Sequence, residues 1–111
     1  QQYDKAMDWY LLSAAANYAG AQNNIGNMYY IGSGVPVDYL LALEWYLKAA
    51  SQKNKFAFEN IGRIFEKGLG VLDDKYMALE WYRRNKHTAE AAKRLKDKGY
   101  HVPAKKKSNF P

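Results

Sequence analysis

Apolar and small residues recur along this chain at intervals of three and four, the spacing of one face of a helix. Ala21, Ile25, Met28 and Tyr29 make one such stripe, and Ala42, Trp45, Tyr46 and Ala49 make another. The polar residues between them fall on the opposite side, where Glu44 and Lys48 form an i, i+4 pair. Helices are expected over 21–31 and 57–67, which serve as the first helix of each unit, and over 38–51 and 74–85, the second. A further second helix is expected at 2–16, and a last, polar helix at 88–98. Asp38 and Asp74 stand where an N-cap would accept a bond from an unpaired amide. Gly-x-Gly-Val at residues 32–35 and 68–71 ends each first helix, because glycine takes the left-handed conformation found just past a helix end.

The pattern repeats. Trp9-Tyr10, Trp45-Tyr46 and Trp81-Tyr82 lie 36 residues apart, and Ala6, Ala42 and Ala78 keep the same step. Asn24-Ile25-Gly26 returns as Asn60-Ile61-Gly62. About a third of positions are identical between residues 1–36 and 37–72, well above chance. Gly26 and Gly62 sit inside helices, where glycine costs about 1 kcal/mol against alanine. Their recurrence implies close approach by another helix. The aromatic stripe reads as core rather than as a cofactor box.

These residues give the pattern Ala-x-x-x-Ile-Gly-x-x-Tyr, Gly-x-Gly-Val, Asp-x-x-x-Ala-x-x-Trp-Tyr-x-x-Ala. It resembles the Sel-1-like repeat, a tetratricopeptide-like helical repeat with a longer loop between its helices. The resemblance covers roughly residues 2–98 and implies an all-α fold, an α-α superhelix (solenoid) of helix-turn-helix units. Residues 1–98 form the solenoid in this division, and 99–111 a basic C-terminal tail. The resemblance also implies a scaffold or adaptor that binds a partner protein or peptide in a concave groove, as a segment of a larger repeat protein. First helices line that groove in tetratricopeptide arrays. Carried over, the inner positions are Asn23, Asn27 and Tyr30, then Glu59, Arg63 and Glu66, then Lys93 and Asp97.

The third unit departs from the pattern. Trp81 to Ala91 is two residues shorter than Trp45 to Ala57. If Leu95 matches Ile25, then Lys96 replaces the repeat glycine. The chain also opens on a second helix with no first helix before it. Trp9 and its neighbours are therefore expected to present an apolar face, with marginal stability or self-association through that end.

Composition narrows the class. Of 111 residues, 48% are hydrophobic and 15% aromatic, which suits one folded domain. No cysteine occurs, so there is no disulfide and no thiolate metal site. With no Asn-x-Ser/Thr sequon and no visible leader, a cytoplasmic, intracellular location is expected. No apolar run approaches the roughly 20 residues of a membrane span. Net charge is +6 but uneven: residues 1–50 carry −2, residues 51–80 carry 0 and residues 81–111 carry +8. The Lys105-Lys106-Lys107 run supplies the alternative reading, polyanion or nucleic-acid binding through the basic C-terminal end, with no recognised nucleic-acid fold in support. Tyr100 or Phe110 is expected to dock against the solenoid or a neighbouring molecule. His87 and His101 form no helical metal pair, no phosphate loop occurs, and the serines have no evident base partner. Neither a cofactor nor an enzymatic activity is expected.

Overall fold

The computed structural model describes residues 2–15 and 17–101. Six α-helices follow one another: α1 Gln2–Ala15, α2 Ala19–Ile31, α3 Tyr39–Ser51, α4 Lys55–Lys67, α5 Lys75–Tyr82 and α6 Ala89–Asp97. A 3-10 turn, Lys86–Thr88, joins the last two. Each helix packs on the next in sequence, and the molecule is drawn out to 46 × 24 × 21 Å. This is an α-α solenoid, stabilised by contacts between neighbouring helices.

Short-range chemistry sets the helix ends. Asp38 Oδ1 accepts from the Leu41 amide at 3.0 Å, and Asp74 Oδ1 from that of Met77 at 2.9 Å. Asn54 caps α4 in the same way, through the Ala57 amide at 3.0 Å. Gly32 and Gly68 end α2 and α4 with φ of 83° and 66°. Their amides turn back to Met28 O and Ile64 O.

The repeated helix glycines explain the tight pairing of α2 with α3 and of α4 with α5. A Cβ at Gly26 would lie 2.6 Å from the Tyr46 ring, and one at Gly62 would lie 2.5 Å from the Tyr82 ring. Only a residue without a side chain lets the tyrosine of the next helix lie flat on the backbone. Ile25, Ala42, Tyr46, Ala49, Ile61 and Leu79 are essentially removed from solvent around these contacts. Leu95 is fully buried too, so it stands in α6 where Ile25 and Ile61 stand in their helices.

Two expectations need correction. The second helix of the last unit ends at Tyr82, not near Asn85. The shorter connection is taken up by the 3-10 turn, where the Thr88 hydroxyl donates to Asn85 O at 2.7 Å and also bonds Tyr82 O. The tryptophan stripe is not uniformly core. Trp81 is 4% exposed, Trp45 is half-buried and Trp9 is 70% exposed. The apolar face expected at the start of the chain is present, with Leu12 67% exposed beside Trp9.

Candidate functional site

Turning α2 and α4 side by side brings their polar faces into one row. The Tyr46 hydroxyl of α3 donates to Asn27 Oδ1 at 2.7 Å. Asn60 Nδ2 of α4 reaches back across the repeat boundary to Asn23 Oδ1 at 3.0 Å and to Asn27 Oδ1 at 3.4 Å. Asn60 Oδ1 then accepts from Arg63 Nη1 at 3.0 Å, while Arg63 Nη2 donates to Glu59 Oε2 at 3.2 Å. The result is a hydrogen-bonded ladder that runs from one unit into the next. Asn23 is nearly buried, whereas Glu59 and Arg63 stay partly open to water.

A second cluster lies further along. The Tyr82 hydroxyl donates to Glu66 Oε1 at 2.7 Å, and Arg94 of α6 clasps the same carboxylate, Nη2 to Oε1 at 3.0 Å with Nη1 on Oε2. Lys75 Nζ donates to Glu66 O at 2.8 Å. The Arg94 hydrogen bond holds the Glu66 carboxyl below its ordinary pKa of 4.5, and burial only partly opposes it. Burial pushes the Tyr46 and Tyr82 hydroxyls well above their ordinary range, so both remain donors.

The structure therefore joins four of the sequence-derived groove positions, chiefly through Asn60, and sets a fifth apart. Asn23, Asn27, Glu59 and Arg63 share the ladder, and Glu66 belongs to the second cluster. Tyr30 meets the Tyr39 ring edge-on at 5.4 Å. Lys93 and Asp97 form their own exposed pair at 2.9 Å on α6. Lys105, Lys106, Lys107 and Phe110 lie outside the described residues. Tyr100 does dock, half-buried and edge-on to Tyr76 at 5.2 Å. Sequence reasoning missed Asn60, the central rung, although its recurrence with Asn24 was a signal. It also missed Arg94.

Among the described residues, no group of three or more His, Cys, Asp or Glu side chains could hold a metal ion. No helix among them is long and apolar enough to cross a membrane. What the ladder offers is a fixed array of amide, carboxylate and guanidinium groups.

That array stands on a recognisable frame. The Sel1 repeat matches residues 1–18, 19–54 and 59–84. The chain belongs to the Sel1 repeat family. Among solved structures it is similar to a Sel1 repeat protein from Oxalobacter formigenes, with 33% identity and a TM-score of 0.82 over 88% of this chain and 42% of that one. It is also similar to c5321, a protective antigen present in uropathogenic Escherichia coli strains and displaying an SLR fold. There the identity is 34% and the TM-score 0.77, over 84% of this chain and 21% of the other. The chain thus spans less than half the length of either relative. No curated protein matches it.

Proposed function

We propose that this Sel1 segment is a protein-interaction scaffold whose docking face is the polar row on α2 and α4. The observation that carries the reading is the ladder itself. Its rungs cross the repeat boundary, so the donors and acceptors of two units are held in one fixed register. A partner's backbone or side chains would meet pre-ordered groups, and pre-ordering reduces the entropy lost on binding. Sel1 repeats generally mediate protein interactions, and they are generally non-catalytic, which agrees with this use. The groove is concave in this proposal, with Glu59, Arg63 and Tyr30 as its accessible contacts.

The basic C-terminal end is a weaker candidate for the main function. Arg83, Lys93 and Arg94 are paired with Glu80, Asp97 and Glu66. Part of the positive excess is therefore neutralised where it stands.

The test is a charge swap, Glu59→Arg with Arg63→Glu. It preserves an i, i+4 pair on α4 while inverting the pattern a partner reads. Captured proteins from the native cell, with nuclease present, should be retained by the wild type and lost by the swap. Identical captures that vanish only at high salt would overturn the reading in favour of polyanion binding.

A further inference from the structure

The turn between a second helix and the next first helix passes through a left-handed residue in both units: Asn17, φ 67°, and Lys53, φ 64°. A cleft lies beside each turn, of about 440 Å³ at the first and about 830 Å³ at the second. Each of the seven residues lining the smaller cleft has its counterpart 36 positions later in the lining of the larger. Leu11, Trp45 and Lys48 correspond in this way to Leu47, Trp81 and Arg84. The scaffold thus builds the same recess twice, and the side chains decide what each becomes.

At the first, polar groups satisfy one another. Gln22 Nε2 and Gln52 Nε2 donate to Asn17 Oδ1 at 3.2 and 3.3 Å, and Gln52 Nε2 also reaches Gln22 Oε1 at 3.2 Å. At the second, Phe58 takes the place of Gln22, its ring centroid 6.0 Å from that of Trp81. With Leu47 and Ala50 these rings make an apolar floor. Around it stand Lys53, Lys55 and Lys86, all exposed, and Arg84, whose guanidinium lies 4.5 Å from the Trp81 centroid. Among the described residues, no acidic side chain lines the recess.

The rim is also held in place. Buried Asn85 donates from Nδ2 to Lys55 O at 2.9 Å and accepts from the His87 amide at 3.0 Å. The 3-10 turn carrying Lys86 is thereby fixed against the start of α4.

We propose that this cleft docks an acidic peptide segment of a partner protein, which inserts one bulky apolar side chain between the cations. The floor calls for the apolar group and the rim for carboxylates on either side of it. The chain's own C-terminal run is basic and has the wrong sign for the rim. A nucleic acid would suit the charge but not the floor, because Trp81 and Phe58 are 4% and 9% exposed and the accessible apolar contact comes chiefly from the aliphatic Leu47, 41% exposed, which offers a base no aromatic face to stack on. This surface is separate from the α2–α4 ladder and does not depend on it.

The probe is a fluorescein-labelled peptide with one phenylalanine flanked by glutamates, titrated into the full chain and followed by anisotropy. Replacing the phenylalanine by serine, or the glutamates by lysines, should weaken binding by roughly tenfold or more. Lys53→Gly with Lys86→Ala removes two rim charges, and glycine suits the left-handed turn at position 53, so the variant should remain folded by circular dichroism. Its affinity should fall roughly fivefold to tenfold. Leu47→Glu should abolish binding, whereas the Glu59→Arg/Arg63→Glu swap should leave it unchanged. The proposal is overturned if the probe shows no saturable binding, if the serine peptide binds equally well, if an oligothymidylate binds as tightly and displaces the probe, or if the groove swap removes binding.

Discussion

The ring of Tyr82 rests directly on Gly62, with Cε1 only 2.5 Å from where a Cβ would be. Tyr82 is 4% exposed and its hydroxyl is held by Glu66 at 2.7 Å, so the ring has little freedom to retreat. Gly62→Ala should therefore destabilise the chain, even though alanine gains about 1 kcal/mol of helix propensity. Overpacking of this kind costs about 1–3 kcal/mol. The expected net loss is small but measurable in urea unfolding, and Gly26→Ala should behave alike against Tyr46. A stabilised Gly62→Ala variant would show that the two helices can separate without penalty.

The Tyr46–Asn27 bond predicts an asymmetry between its two ends. Tyr46→Phe removes the hydroxyl and leaves Asn27 Oδ1 with Asn60, for a loss of about 1 kcal/mol. Asn27→Ala instead strands a mostly buried hydroxyl and removes one of the two acceptors that Asn60 meets across the repeat boundary, and should cost about 1–3 kcal/mol. Denaturation midpoints of the two single variants, measured side by side, check the order.

These two cases show how far the sequence was legible. The 36-residue register, both aspartate caps and the glycine contacts could be read because they depend on backbone geometry and on residue size. The partner of each tyrosine hydroxyl could not. Tyr46 and Tyr82 occupy the same repeat position, yet one bonds Asn27 and the other Glu66, which stands where the first unit has Tyr30. Periodicity places the ring, and the local acceptor places the proton. The tryptophans teach the same lesson: Trp81 is covered because Phe58 packs on it, while the position matching Phe58 beside Trp45 is Gln22.

Glu66 makes stability depend on acid. Its folded pKa is lowered, chiefly by the Arg94 hydrogen bond, so its contribution is complete above the ordinary carboxylate value of 4.5. That contribution is lost as pH falls through the lowered folded value. The melting temperature of the wild type should therefore drop in this acid range, and Glu66→Gln should flatten the drop while lowering stability at neutral pH. Arg94→Met should flatten it too, since it removes the largest cause of the shift.

Lys53 at φ 64° predicts a stabilising change. A left-handed backbone costs an L-residue about 1–2 kcal/mol that glycine does not incur. Lys53→Gly should raise stability by about 1 kcal/mol, readable as a shift of several degrees in thermal unfolding. Asn17→Gly should gain less, because asparagine tolerates this conformation and its Oδ1 accepts from Gln22 and Gln52.

The graded cover over Trp9, Trp45 and Trp81 makes the molecule its own reporter. Three indoles sit at equivalent points of successive units, one in water, one half-sheltered and one enclosed beside a guanidinium. Their emission should therefore differ in colour and in access to a soluble quencher. Unfolding that begins at the C-terminal unit would redden the Trp81 signal while Trp9 stayed the same, and fraying at the other end would leave Trp81 blue. The direction in which this solenoid comes apart can thus be followed by light alone, with no label attached.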